Sequence, residues 1–295
     1  MAAISSLSIW NERMHPFQLL PRLRLIIISL LATAPLLANA QEIQQVARLS
    51  LPPVERRHPV DAALEIAEES LQHVRANVDD YTAIFIKRCR VGGVMPPLQY
   101  ASLKIRNRKL DGQDIAVPLS VYLDFLKPSS VKGREVIWVE NANDGNLIVH
   151  QGGFASFLTT QLDPEGMLAM RGQRYSIKEI GIENLLEKFV VTAQQDRLHG
   201  ECDVQIETDH LFGQTSCTLV EVIHPIRREH FRFHRARVYF DNNTKMPIRY
   251  QAWLWPETPG GPPVLDEEYN YFNLKVNVGL SASDFDASNP SYRFR

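Results

Sequence analysis

Between Val117 and His150 the chain has room for three strands and almost nothing else. Val117-Pro-Leu-Ser-Val-Tyr-Leu-Asp-Phe-Leu126 runs into the turn Lys127-Pro-Ser-Ser-Val-Lys-Gly133. The chain returns as Arg134-Glu-Val-Ile-Trp-Val-Glu140, turns at Asn141-Ala-Asn-Asp-Gly145, and leaves as Asn146-Leu-Ile-Val-His150. β-forming residues punctuated by Pro-Ser-Ser, Lys-Gly and Asp-Gly predict an antiparallel meander. Such a sheet must cover its apolar face, and the rest of the chain is read for what covers it.

Two stripes at helical spacing do so. From Pro59, a residue suited to a first helical turn, Val60, Ala63, Leu64, Ala67, Leu71 and Val74 recur on one side, with Asp61, Glu65, Glu68, Glu69 and Gln72 opposite. Ser176 and Glu179 have capping-box spacing, and Ile182, Leu185, Leu186, Phe189, Val190 and Ala193 form a second stripe that His199-Gly200 ends. Strands are predicted at 81–88 and 99–107 before the meander, and at 201–206, 218–223, 231–240, 247–255 and 264–278 after the second helix. Asp241 to Lys245 reads as a hairpin turn and Ser281 to Asp284 as the cap of a last helical turn. No internal repeat or low-complexity linker interrupts this. The expectation is one α+β domain over 59–295, an antiparallel sheet of roughly ten strands covered by two main amphipathic helices.

Ahead of it, Pro21-Arg-Leu-Arg24 supplies positive charge, the run from Leu25 to Leu37 is almost wholly apolar, and Ala38-Asn39-Ala40 fits a small-x-small cleavage site. This is the form of a signal peptide cleaved after Ala40, too short for a typical membrane span, with 41–58 as a flexible leader. Met14 is an alternative start nearer the charged residues. Gln41 rather than Cys follows the cut, so nothing marks a lipid-anchored lipoprotein. The mature chain is expected to be a soluble periplasmic monomer. A formal charge of −2 with 44% hydrophobic residues lacks the basic excess of a nucleic-acid binder. The basic clusters at 88–90, 104–109 and 227–237 read as solvated strand faces.

An oxidising compartment bears on the three cysteines. Cys202 and Cys217 flank a predicted hairpin and are expected to form a disulfide, with Cys89 left as a small strand residue. A zinc site from His199, Cys202, His210 and Cys217 matches no standard ligand spacing, so neither metal nor cofactor is expected.

Several segments in order resemble the DUF1571 family of bacterial envelope proteins, of planctomycete type. They are Tyr81-Thr-Ala-Ile-Phe-Ile-Lys-Arg88, Ser120-Val-Tyr-Leu-Asp-Phe-Leu-Lys-Pro128, Lys132-Gly-Arg-Glu-Val136 and Tyr175-Ser-Ile-Lys-Glu-Ile-Gly181. His224-Pro225, Met246-Pro-Ile-Arg-Tyr250, Glu267-Glu-Tyr269, Asp284-Phe-Asp286 and Asn289-Pro290 follow. More loosely, a strand pair, a Phe-Leu-Lys-Pro step and a hairpin are similar to the Lol-type (LolA/LolB-like) outer-membrane lipoprotein carriers. That likeness implies a curved sheet, a half-barrel closed by helices around an apolar cavity for acyl chains.

A carrier of this kind needs a preformed apolar groove. The expected lining is Phe85, Tyr122, Phe125, Trp138, Tyr239, Trp253 and Tyr269 from strands, with Leu185 and Phe189 from the second helix. The expected function is a non-enzymatic binding module for a lipid or lipoprotein acyl chain, with peripheral membrane contact. The alternative is an envelope protein-interaction or sensor module on the same scaffold, without a lipid. A hydrolase-like site near His224 and His230, with Glu229, is the enzymatic alternative; no nucleophile in a Gly-x-Ser-x-Gly setting accompanies it. Arg134-Glu135, and Arg249 with Glu267-Glu268, read as cross-strand ion pairs.

Overall fold

The computed structural model describes residues 57–294. The expected signal peptide, and all of the expected leader except Arg57 and His58, lie outside the described residues. Helix α1 (Asp61–Asn77) opens the described chain, two residues after Pro59, which sits in the preceding turn. Strands β1 (Asp80–Cys89) and β2 (Gln99–Arg106) follow, then a short ribbon of β3 (Lys109–Asp111) and β4 (Asp114–Val117). The meander comprises β5 (Ser120–Lys127), β6 (Glu135–Val139) and β7 (Leu147–His150), and extends to β8 (Thr159–Leu162). After α2 (Ile182–Asp196) come β9 (Asp203–Phe212), β10 (Thr215–Ile223), β11 (Arg235–Asp241), β12 (Pro247–Leu254) and β13 (Val264–Val276).

Eleven of these strands form one open, curved antiparallel sheet in the order β8-β7-β6-β5-β2-β1-β13-β12-β11-β10-β9. The α+β expectation holds, with eleven strands where roughly ten were read. The ribbon β3-β4 and the edge strand β8 are additions to the sequence reading. Their strands are three or four residues long and carry no buried residue, so they lack the buried alternation that marks a strand. Each half of the sheet is a meander of neighbours in sequence. The two halves meet at β1 and β13, where Phe85 faces Tyr271 and Lys87 faces Tyr269.

Successive strand residues point to opposite faces, so every strand divides its side chains between two environments. On the inner face, Tyr81, Ala83 and Phe85 of β1, Leu103 and Ile105 of β2, and Val121, Leu123 and Phe125 of β5 join one core with both helices. Tyr81 is fully buried and its hydroxyl accepts the Ile182 N–H at 2.8 Å, which ties β1 to the first residue of α2. Arg75 of α1 pairs with Glu183 of α2 at 2.8 Å. The Ser176–Glu179 capping box forms, but it caps a separate 3-10 turn, Ile177–Glu179. Gly181, at φ +125°, then breaks the chain before α2 begins. A side chain is strained at that φ, so the predicted continuous helix becomes two pieces at this glycine.

The outer face is covered differently in its two halves. Over β2, β5 and β6 lies the chain after β13, whose Phe285, Tyr292 and Phe294 pack on Tyr122 and Ile137. Its start is held by Asp80, whose carboxylate accepts the backbone N–H groups of Val278, Gly279 and Leu280 at 2.7–3.1 Å. The Ser281–Asp284 cap forms as expected. Over the other half runs a charged ladder in which Glu221 pairs with Arg237 and Glu268 with Arg88 at 2.6 Å. Arg249 approaches Glu268 at 4.0 Å, whereas Glu267 points to the inner face. The expected Arg134–Glu135 pair is not formed: Arg134 donates to Gln151, and Glu135 accepts from Tyr122 and from the Arg293 backbone.

The expected disulfide is also absent, because Cys89, Cys202 and Cys217 are all free thiols. The hairpin register explains it. Cys217 lies opposite His210, whereas Cys202 precedes Asp203, which lies opposite Ile223. At about 3.3 Å per residue, the two cysteines sit roughly 20 Å apart along the hairpin, far beyond bridging distance. Cys202 joins the inner core and Cys217 the outer cluster with Leu219 and Tyr239. Burial pushes both thiols up to about 11. Unfolding the unreduced protein in an alkylating reagent should therefore add three adducts per chain by intact mass. A single adduct would show that a disulfide forms after all.

Candidate functional site

Helices α1 and α2 do not settle onto the whole inner face. Over β1, β13, β12, β11 and β10 they leave a cavity of about 510 Å³. Ala63 and Ala67 of α1, Leu185, Phe189 and Ala193 of α2, and Val220, Ala236, Val238, Phe240, Tyr250 and Ala252 of the sheet form its apolar body. Small residues make the hollow. Ala236 and Ala252 lie directly opposite each other on β11 and β12, so two neighbouring strands present a methyl group where larger side chains would fill the space.

Of the nine expected lining residues, the structure brings together Phe85, Leu185, Phe189 and Tyr269 around this cavity. The Phe85 ring lies parallel to Tyr269 at 6.0 Å, and Phe189 meets Tyr250 at 5.0 Å. Phe125 and Trp138 face inward but belong to the packed core over the other half of the sheet, away from the cavity. Tyr122, Tyr239 and Trp253 are on the outer face. Tyr122 stacks on Tyr292 at 4.3 Å, Tyr239 packs with Cys217 and Leu219, and Trp253 lies beside the Arg237 guanidinium. Alternation is the reason. Tyr122 and Phe125 are three apart on one strand and cannot share a face. Phe240 and Ala252, neighbours of Tyr239 and Trp253, are the residues that point into the hollow.

One end of the cavity is polar, which the sequence reading missed. The stripe of Tyr81, Ala83 and Phe85 continues through Lys87 and Cys89, which both line the cavity. The loop before the 3-10 turn lays Arg174 and Tyr175 across this end. Arg174 clasps Asp266 through two hydrogen bonds of 2.7 and 2.9 Å and stands 3.7 Å from Glu267. Ala252 pairs with Glu267 but Trp253 with Leu265, so Asp266 is the extra residue of a β-bulge. The bulge lets two consecutive carboxylates serve one guanidinium. Glu267 also accepts from the hydroxyls of Tyr269 at 2.9 Å, Tyr250 at 3.3 Å and Tyr175 at 3.5 Å. Burial, then the Glu267 charge, pushes the Tyr175 phenol up to about 12 and the Tyr250 and Tyr269 phenols higher still. All three phenols stay protonated as donors to the carboxylate. The Cys89 thiol lies 2.9 Å from the Tyr269 hydroxyl and is raised by burial.

His224 and His230 both pack against Phe231. The His224 ring is fully buried and stacks on Phe231 at 3.9 Å, with Nδ1 3.0 Å from the Phe233 carbonyl and Nε2 3.1 Å from Asp196. His230 also stacks on His199 at 3.7 Å. Among the described residues, no group of three or more His, Cys, Asp or Glu side chains is placed to hold a metal ion.

The family model described as "Protein of unknown function (DUF1571)" matches residues 78–294, as the sequence motifs had suggested. No curated protein matches the chain. Solved structures similar to it include the lipoprotein LppX of Mycobacterium tuberculosis, 14% identical over 77% of this chain and 100% of that one, with a TM-score of 0.41. A DUF1329 family protein of Desulfovibrio piger is 15% identical over 77% and 97%, with a TM-score of 0.36. A LolA superfamily protein of Nitrosomonas europaea is 9% identical over 75% and 97%, with a TM-score of 0.29.

Proposed function

The chain belongs to the DUF1571 family, and from the cavity we propose a non-enzymatic binding module of the periplasm that holds the apolar chain of a lipid or acylated ligand. The observation that carries this is the hollow of about 510 Å³ lined by Ala236, Ala252, Phe85 and Phe189. Its volume lies within the range of small-molecule sites, roughly 300–1,000 Å³. An alkyl chain entering it gains about 0.8 kcal/mol per buried methylene without directional contacts. Export by the N-terminal segment and action of residues 59–295 as one unit belong to the same proposal.

Native mass spectrometry after gentle purification, with displacement of a fluorescent fatty acid, tests it. Adducts of lipid mass and saturable displacement are the expected results. Protein that is consistently empty and ignores the probe would sink the proposal.

A partner-binding role on the same scaffold has its own observation. Phe154, Phe157, Met167 and Leu168 stand exposed beside the edge strand β8. In vivo cross-linking from this loop that recovers one stoichiometric partner, from protein without lipid, would favour that role.

A further inference from the structure

At the polar end of the cavity the charged side chains are not all paired with one another. Asp266 is taken by Arg174 through both oxygens, and Glu179 by Lys188 at 2.6 Å. Glu267 is enclosed by three phenols and Arg174. The fourth lining carboxylate, Asp196, lies eight residues beyond Lys188 on α2 and faces His224. Two cations remain. Lys87 lines the cavity and donates to the Gln173 side chain at 2.6 Å; among the described residues it has no carboxylate partner. Arg232 stands exposed at the rim and likewise pairs with no carboxylate among them.

An ammonium partly drawn out of water without a counter-charge is costly, and a methionine at this position would pack the same wall without that cost. Lys87 follows Phe85 on one face of one strand, so its amine is set where the apolar body ends. We propose that this end is an anion seat, in which Lys87 with Arg232 at the rim receives the carboxylate or phosphate head of a single-chain amphiphile whose alkyl part fills the apolar body. This rests on the reading of the cavity as an alkyl-chain site. Burial holds the Lys87 ammonium below the ordinary lysine range, and an anion in contact would reverse that.

Calorimetric titration with dodecanoate, dodecyl phosphate, methyl dodecanoate, acetate and inorganic phosphate separates the outcomes. The two anionic amphiphiles should bind about ten- to a hundred-fold more tightly than the methyl ester, the ratio a charge-assisted hydrogen bond supports. In Lys87→Met most of that preference should be lost while ester affinity is kept or improved. Arg232→Gln, at an exposed position, should lower the preference only in part, and it reports on the seat even if Lys87→Met fails to fold. Equal binding of ester and anion by the wild type would overturn the seat but keep the chain site. No binding of any twelve-carbon ligand would overturn the chain site itself, and the seat with it. Tight binding of acetate or inorganic phosphate alone would overturn the amphiphile assignment in favour of a free anion.

Discussion

Replacing Tyr292 by alanine will lower the stability of the protein by about 3–5 kcal/mol, the usual cost of deleting a buried aromatic side chain. The ring stacks on Tyr122 at 4.3 Å. Its hydroxyl donates to the Asp284 carbonyl at 2.8 Å and accepts from Lys104 at 3.0 Å, so the residue pins the C-terminal segment to the outer face. For a chain of this size the loss corresponds to a fall in Tm of roughly 10 °C. Ligand affinity measured well below Tm should be unchanged, since the tail and the cavity lie on opposite faces of the sheet. A Tm within 2 °C of wild type, or a tenfold change in affinity, would show that the tail is not the outer half of this fold's packing.

Ala236→Phe should do the reverse. Ala236 is buried, pairs with Ala252 on the neighbouring strand and lines the hollow between helices and sheet. In a close-packed core, an added ring forces side chains off their rotamers and costs about 1–3 kcal/mol. Here the ring enters space that the protein does not fill. Tm should therefore stay within a few degrees of wild type or rise, while displacement of the fluorescent fatty acid weakens at least about a hundred-fold, because ring and chain compete for one volume. A destabilised variant with unchanged affinity would mean that the hollow is closed in solution and that ligands bind elsewhere.

The contrast between these two variants shows what could be read from residues alone. Strand positions were legible because alternation and turn chemistry are local, and the stripes of α1 and α2 likewise. The joining of β1 to β13 was not, since no local signal records which distant edge a strand will find. For the site, size was the misleading cue. Tyr122, Tyr239 and Trp253 stand out as large aromatics, yet parity along each strand puts them on the face opposite Val121, Phe240 and Ala252. The better signals were small residues in register, Ala236 and Ala252, and the continuation of the Phe85 stripe into Lys87 and Cys89. Arg174 sits in an irregular loop, and Asp266 reaches the site only through a bulge; neither has a sequence signature.

The seam between the first strand and the last has a consequence for biogenesis. β1 leaves synthesis early, but the neighbour that completes it, β13, is made only after the 174 residues between Cys89 and Val264. Until then Phe85 has no Tyr271 or Tyr269 beside it, and the unpaired edge is a template for pairing with other chains. Non-local ladders of this kind close slowly, because a long stretch of polypeptide must be ordered before the contact forms. The seam, and with it the wall of the hollow that Tyr269 and Tyr271 supply, therefore closes last.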